Sequence, residues 1–341
     1  VITLSGQTIA VTGGAGFIGR HLCARLLDAG AAVICIDSFL TSARRDLEAL
    51  LQRPGFTLLE ADIVALPDFQ ADGIFNLACA ASPKAYQRDP IHTMRTNVVG
   101  TDNLLARATA LGVRLLQAST SEIYGDPDIH PQPETYAGRV NPLGPRACYD
   151  EGKRAAETLC ADYARHHGTD TRIARIFNTY GPGMAPDDGR IVSNFIMQAL
   201  QNQPISIFGD GTQTRSLCYV EDTVEALLRL YLHPEIGCQP VNIGNTDELT
   251  VLDIAQLVLG ATGSSAPLAY FPLPLDDPRQ RRPNISRARK ALGWAPRISV
   301  SEGIARTVPY FRQYGTASLQ DTIAAPPDPS ANAQHVAHPG D

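Results

Sequence analysis

The sequence predicts an α/β protein: a Rossmann-type doubly wound parallel sheet with a smaller C-terminal α/β region. Three observations carry this. Short apolar runs alternate with helical patterns through the first half; a glycine-rich turn joins the first run to the first helix; and beyond about residue 182 the alternation loosens among Pro and Gly. Strands that alternate with helices connect by right-handed crossovers, which lay the strands parallel and cover both faces of the sheet.

In chain order, T-I-A-V-T (8–12) predicts a strand, and F-I-G-R-H-L-C-A-R-L-L-D-A-G (17–30) a helix that Gly30 stops. A-V-I-C-I (32–36) predicts a second buried strand, and Ser42 the cap of a helix running to about Leu51. F-T-L-L-E (56–60), G-I-F-N-L (73–77), V-R-L-L-Q-A-S (113–119) and R-I-A-R-I-F (172–177) predict further strands, with helices over 91–111 and 146–167. I-V-S-N-F-I-M-Q-A-L-Q-N (191–202) predicts a short helix after a loop. The expected organisation is a cofactor-binding domain over 1–182, to which later segments return, and a substrate-binding region over 183–314. Residues 315–341 include A-A-P-P-D-P-S-A-N-A-Q, lack a periodic apolar face and are expected to be a disordered tail. No internal repeat is visible.

Composition excludes several classes. The net charge of −6 leaves no basic footprint for nucleic acid, so an anionic ligand needs local positive charge. Cys23, Cys35, Cys79, Cys148, Cys160, Cys218 and Cys238 are scattered without a C-x-x-C pair. They read as small core residues of a reducing compartment, not as a disulfide framework or metal site. No apolar run approaches the roughly 18 residues that span a membrane, and there is no signal-peptide pattern. The expected location is the cytoplasm.

Gly13, Gly16 and Gly19 stand between the first strand and the first helix. Gly13 suits the tight turn, Gly16 lets backbone approach a pyrophosphate at the helix N-terminus, and Gly19 lets helix pack close to strand. Asp37 ends the second strand, where its carboxylate accepts hydrogen bonds from the adenosine ribose and repels a 2′-phosphate. This favours NAD over NADP, although Arg44 and Arg45 are near. A glycine-rich turn without a ligand is the plainer reading of the same residues.

Tyr149 and Lys153 are four apart in a predicted helix and share one face. A phenol ordinarily titrates near about 10; a neighbouring ammonium and a cationic nicotinamide ring are expected to bring it toward about 7. Thr120, Ser121 and Glu122 end a strand, where open α/β sheets bind ligands. Thr120 is the natural hydroxyl to bridge the tyrosine and a reacting oxygen. For these residues, and for Ser119, a turn or cap role is the alternative.

The spacing G-x-x-G-x-x-G with Tyr149-x-x-x-Lys153 resembles the extended short-chain dehydrogenase/reductase superfamily. Its nucleotide-sugar 4,6-dehydratases carry Thr-Asp-Glu where this chain has Thr120-Ser121-Glu122, and a serine is a poor acid for expelling water. L-A-C-A-A-S-P-K-A-Y (77–86), S-T-S-E-I-Y-G-D-P (119–127), N-P-L-G-P-R-A-C-Y-D-E-G-K-R-A-A-E-T-L (141–159), R-I-F-N-T-Y-G-P (175–182), D-G-R-I-V-S-N-F (188–195) and D-D-P-R-Q-R-R-P (276–283) closely resemble the UDP-glucuronate decarboxylase (UDP-xylose synthase) family, over about residues 7–314.

That resemblance implies C4 oxidation of a nucleotide-linked glucuronate with NAD, loss of carbon dioxide from the 4-ketone, C5 protonation and re-reduction. Thr120, Ser121, Glu122, Tyr149 and Lys153 form the implied catalytic set, with Glu122 positioning the sugar and managing the C5 proton. Implied cofactor contacts are Gly13, Gly16, Phe17, Ile18, Gly19, Asp37, Asp62, Ile63, Leu77, Ala78, Asn97, Ser119, Tyr149 and Lys153. For Asn97 a buried helix–loop hydrogen bond is the alternative. Ser82 and Tyr86 are implied near the uronate carboxylate, Asn178 at the diphosphate, and Asn194 at the nucleotide. Arg215 and Arg281 are implied to pair with the diphosphate or ribose, or else to form surface ion pairs. The chain departs from the family at Asn76, Ala80, Gly183, Thr246 and Asn284; Ala80 and Gly183 are expected to border the substrate pocket. A uronate 4-epimerase, an oxidative decarboxylase releasing the 4-keto pentose, and a non-catalytic NAD-binding protein are the competing readings; the S-T-S-E and A-S-P-x-x-Y motifs argue against the epimerase. No metal is implied. A homodimer formed through the helices over 91–111 and 146–167 is expected.

Overall fold

The computed structural model describes residues 2–273 and 280–314; the expected tail, 315–341, lies outside the described residues. In chain order the strands are β1 (Thr8–Thr12), β2 (Ala32–Asp37), β3 (Phe56–Glu60), β4 (Gly73–Asn76), β5 (Arg114–Thr120), β6 (Thr171–Ile176), β7 (Thr179–Tyr180), β8 (Ile205–Phe208), β9 (Thr214–Ser216), β10 (Cys218–Tyr219), β11 (Pro240–Ile243), β12 (Glu248–Thr250) and β13 (Leu268–Phe271). Seven of them make one sheet in the order β11-β6-β5-β4-β1-β2-β3, every pair parallel.

The chain builds outward from β1 to β3, then returns to lay β4 on the other side of β1. Ligands of open α/β sheets bind at the carboxyl ends of the strands where such a reversal occurs. Alternate residues of each strand feed opposite faces. Val11, Val33, Cys35, Phe75 and Leu116 pack with Leu22, Cys23 and Leu26 of helix Phe17–Asp28. Ala10, Ile36, Ile74, Leu115 and Ile173 pack on the opposite face with Leu104, Leu105, Ala108 and Cys160.

The predicted strands and the long helices stand where the pattern put them. The helix expected over 146–167 is Ala147–His167. The one expected over 91–111 is Pro90–Arg95 and Thr101–Leu111, joined by a π turn at Thr96–Gly100. Ser42 is a correction. It caps no helix; its hydroxyl donates to Asp37 Oδ1 at 3.1 Å, and Ala43 precedes the 3₁₀ turn Arg44–Leu47.

Beyond residue 182, helix Ile191–Leu200 is present, and two later elements return to the sheet. Helix Val220–Leu232 packs against helix Phe17–Asp28 and β6, and β11 pairs with β6 at the sheet edge. β8 pairs with β13 and β9 with β12 to form the smaller region. All seven cysteines are free. Among the described residues there is no cluster of metal-ligating side chains and no helix long and apolar enough to cross a membrane.

Candidate active site

The turn after β1 is shaped by steric demand. Gly13 has φ +68°, and a Cβ there would lie 2.7 Å from the Leu77 carbonyl; a Cβ on Gly19 would lie 2.1 Å from Gly13 O. Both positions therefore exclude a side chain. Asp37 braces this turn: Oδ2 accepts from Ala15 N at 2.9 Å and Oδ1 from Phe39 N at 2.8 Å. A cavity of about 870 Å³ opens over Gly13, Gly16, Phe17, Ile18 and Gly19 and runs to Thr120, Tyr149 and Lys153. A hollow of about 80 Å³ beside it is lined by Asp37, Asp62, Ile63, Leu77 and Ala78. An open glycine turn at a helix N-terminus, with an acid at the end of the next strand, fits the pyrophosphate and ribose of NAD.

Asp62 is held by its neighbours. Oδ1 accepts from Val64 N at 2.8 Å, and Oδ2 lies 2.7 Å from His92 Nε2. His92 went unremarked in the sequence because no local pattern joins it to a residue 30 positions away. Arg44 is drawn 3.6 Å from Glu60, while Arg45 lines the cavity.

Two expected cofactor contacts stand differently. Asn97 is 1% exposed inside the π turn and lines neither hollow. Its amide donates to Thr93 O at 3.0 Å and Cys79 Sγ at 3.2 Å, which is the helix–loop bond weighed as its alternative. Ser119 lines the cavity, but its hydroxyl donates to Glu157 Oε1 at 2.5 Å, into a buried network with Arg175.

At the carboxyl end of β5, Thr120 caps the 3₁₀ turn Ser121–Tyr124, accepting from Glu122 N at 3.2 Å. Tyr149 and Lys153 project from one face of helix Ala147–His167, 6% and 4% exposed. Lys153 Nζ donates to Ala118 O at 2.9 Å and lies 5.9 Å from the centre of the Tyr149 ring. Thr120 lies where its hydroxyl favours the Tyr149 phenolate.

The expected lowering of Tyr149 is not supplied by the chain itself. Burial pushes its phenol well above the ordinary value, with Cys79 adding to this and Thr120 opposing it. Lys153 does not reverse the shift: burial lowers its own ammonium, which is turned to a carbonyl.

Glu122 is the centre of charge. Arg146 Nη2 donates to its Oε2 at 2.7 Å, and Arg281 Nη1 donates to Oε1. Burial alone would raise its carboxyl, but Arg281 and Arg146 overcome this and hold it below the usual range. Arg281 lines the same cavity; it is ion-paired with Glu122, the pairing weighed as its alternative but buried and not at the surface, and its Nη2 donates to Gly125 O at 3.3 Å. A carboxyl held anionic is a poor direct proton donor, so a Glu122 part at C5 would run through a water that it orients.

Ser82, Tyr86, Asn178, Asn194 and Arg215 line the same cavity. Tyr86 stacks on Tyr149 with ring centres 5.1 Å apart and 6° between planes. Arg215 Nη1 donates to Thr214 O at 2.8 Å. Gly183 lines the cavity, and Arg20 Nη2 donates to its carbonyl. Ala80 is 5% exposed and packs behind Tyr86 and Tyr149, so the large cavity does not reach it.

The NAD dependent epimerase/dehydratase family matches residues 9–244. The chain belongs to that family. Over 304 residues it is 50% identical to UDP-glucuronic acid decarboxylase 1 of Arabidopsis thaliana, covering 89% of this chain and 69% of the relative. Over 305 residues it is 47% identical to UDP-glucuronic acid decarboxylase 1 of Danio rerio, covering 89% and 72%. Among solved structures, the UDP-glucuronic acid 4-epimerase of Bacillus cereus, in complex with UDP-glucuronic acid and NAD, superposes with TM-score 0.81 at 29% identity, covering 90% of this chain and 99% of that one.

Proposed function

We propose that this chain is an NAD-dependent decarboxylase that converts UDP-glucuronate to UDP-xylose and carbon dioxide. The observation that carries the reading is the junction of two sets in one cavity: the Thr120–Tyr149–Lys153 set, and the Arg146–Glu122–Arg281 cluster beside it. A proton-transfer group next to concentrated buried cations suits a sugar whose reacting face carries a carboxylate. The identity of about half to named decarboxylases supports it further.

Gly13, Gly16, Phe17, Ile18, Gly19, Asp37, Asp62 and Ile63 would hold the cofactor, with Leu77 and Ala78 walling it. NAD, when bound, supplies a reversible hydride acceptor for the sugar C4. Tyr149 Oη takes the C4 hydroxyl proton and later gives it back; Thr120 opposes the upward push of burial on the phenol, and the cationic ring of bound NAD supplies the charge that favours the phenolate. A C4 ketone is β to the carboxylate, so the C5–C6 bond breaks with its electron pair passing into an enolate. Thr120, Ser121 and Tyr149 stabilise the oxygen where that charge develops, C5 then takes a proton that comes from solvent, and the C4 ketone is reduced again as Tyr149 returns its proton. Glu122 holds Arg146 and Arg281 at the sugar end. Ser82, Tyr86, Asn178, Asn194 and Arg215 complete the substrate pocket.

The same proposal divides the chain into a cofactor-binding part, 1–182, and a substrate-binding part, 183–314, with the return of β11 to the sheet explaining why the boundary is not a clean cut. It places the protein in the cytoplasm, supported by the seven free cysteines, and makes it a homodimer through helices Pro90–Arg95, Thr101–Leu111 and Ala147–His167.

The likeness to the Bacillus cereus epimerase favours a second reading, retention of the carboxylate with inversion at C4. Substrate labelled with ¹³C at C6 separates the two. Decarboxylation releases the label as carbon dioxide without lasting NADH; epimerisation keeps it in the sugar nucleotide. Label released together with stoichiometric NADH marks the oxidative decarboxylase.

A further inference from the structure

The wall behind Tyr149 contains a fourth charged group that the mechanism above does not use. Asp150 is 6% exposed, and its Oδ1 is buried with no hydrogen-bond partner among the described residues. It lies one helical turn after Arg146, where the charges of Glu122 and Arg281 also act on it, yet it does not line the cavity. We propose that Asp150 takes up one proton from solvent when a uronate carboxylate docks beside Arg146 and Arg281, so that the buried cluster keeps its net charge. This rests on the reading of the substrate as UDP-glucuronate.

With both acids ionised, Glu122 and Asp150 already set two negative charges against Arg146 and Arg281. A docked carboxylate adds one negative charge where water screens it poorly. Glu122 keeps its anion because two guanidiniums donate to it. Asp150 has no such donor, so its anion is the least supported and is the one that a third negative charge neutralises. Burial and then Glu122 already push its carboxyl up to about 7, against Arg146 and Arg281, so a small change in those arginines' surroundings moves its proton.

The groups that face it are Glu122 from the 3₁₀ turn, Tyr86 from helix Pro83–Tyr86, Arg281, and Arg146, Cys148, Tyr149 and Glu151 from its own segment. Helix Pro90–Arg95, packed beside it, turns His92 to Asp62 and leaves Arg95 exposed. The overall reaction consumes one proton, since an anionic carboxylate leaves as neutral carbon dioxide and C5 gains hydrogen. The uptake on binding equals that demand.

The test is calorimetric titration of the NAD-loaded Tyr149→Phe protein, which blocks turnover, in two buffers of different ionisation enthalpy. UDP-glucuronate should take up close to one proton at about pH 8 and little at about pH 6, and its affinity should fall by up to about tenfold per pH unit above about 7. UDP-xylose, which lacks the carboxylate, should take up none at either pH. Adding Asp150→Asn should abolish the uptake while UDP-xylose still binds. Equal uptake with both sugars, uptake unchanged between the two pH values, or uptake that survives Asp150→Asn overturns the proposal. If the double variant does not fold, the comparison of sugars and pH in Tyr149→Phe decides alone. If UDP-glucuronate and UDP-xylose both fail to bind, the substrate reading itself fails and the proposal falls with it.

Discussion

Tyr149, Glu122 and Asp150 are acids buried in one wall, and their neighbours send them in different directions. Tyr149 Oη sits against Thr120 and the cavity, so Tyr149→Phe should lower kcat about a hundredfold or more while NAD stays bound. Steady-state rates with a cofactor-retention assay check this. Glu122 is held below the usual carboxylate range, so it contributes stability that is full above its unfolded pKa and is lost as pH falls through the lowered folded value. Asp150 has the opposite sign. An acid pushed up to about 7 from 3.8 costs folding stability as pH rises across that window. Asp150→Asn should therefore raise Tm at about pH 8 and leave it unchanged at about pH 3. Thermal melts across pH check both statements; an Asp150→Asn gain as large in acid as at pH 8 contradicts this account of the site.

The strand–turn–helix unit at 8–28 and helix Ala147–His167 are the elements on which the site is built. Both were legible because their signals are local. Three glycines between a strand pattern and a helix pattern suit a close-packed turn, and Tyr149 and Lys153 share a face by helical geometry alone. Gly19→Ala should destabilise the fold by about 2 kcal/mol or more, because the Cβ would lie 2.1 Å from backbone at Gly13. It should also weaken NAD binding, since the same turn shapes the cofactor site. Urea unfolding and NAD titration read the two effects separately. The π turn at Thr96–Gly100 was not legible. It arises where Asn97 packs against Gly152 of the neighbouring helix, a contact across tertiary space.

Across the whole molecule, the partners that set the site's charge come from far along the chain. Arg281 reaches Glu122 across 159 residues, carried by a segment that Gln132 and Asn242 pin. Gln132 accepts from Arg282 N at 2.9 Å, and Asn242 Nδ2 donates to Asn284 O at 3.1 Å. No local pattern encodes such a pairing, so the sequence placed Arg281 in the pocket without revealing its bond to Glu122. A return of later segments to the first domain was legible, but not that β11 makes it, because its four residues carry too weak a signal by themselves. Behind the strand ends, Arg175 donates to Glu157 at 2.7 Å and to Tyr124 Oη at 3.0 Å, tying β6 to helix Ala147–His167 and to the turn after Thr120. Arg175→Ala strands the Glu157 carboxylate and should cost about 3 kcal/mol, read as a fall in the denaturation midpoint.

The central claim, that this cavity removes the carboxylate of a nucleotide uronate and returns a reduced sugar, is tested most directly by proton NMR. The purified protein is incubated with UDP-glucuronate and catalytic NAD in deuterated water. The account predicts UDP-xylose carrying one deuterium at C5, as an enolate protonated from solvent-exchanged groups and then reduced at C4 requires. UDP-galacturonate, or a 4-keto pentose accumulating with stoichiometric NADH, would contradict it.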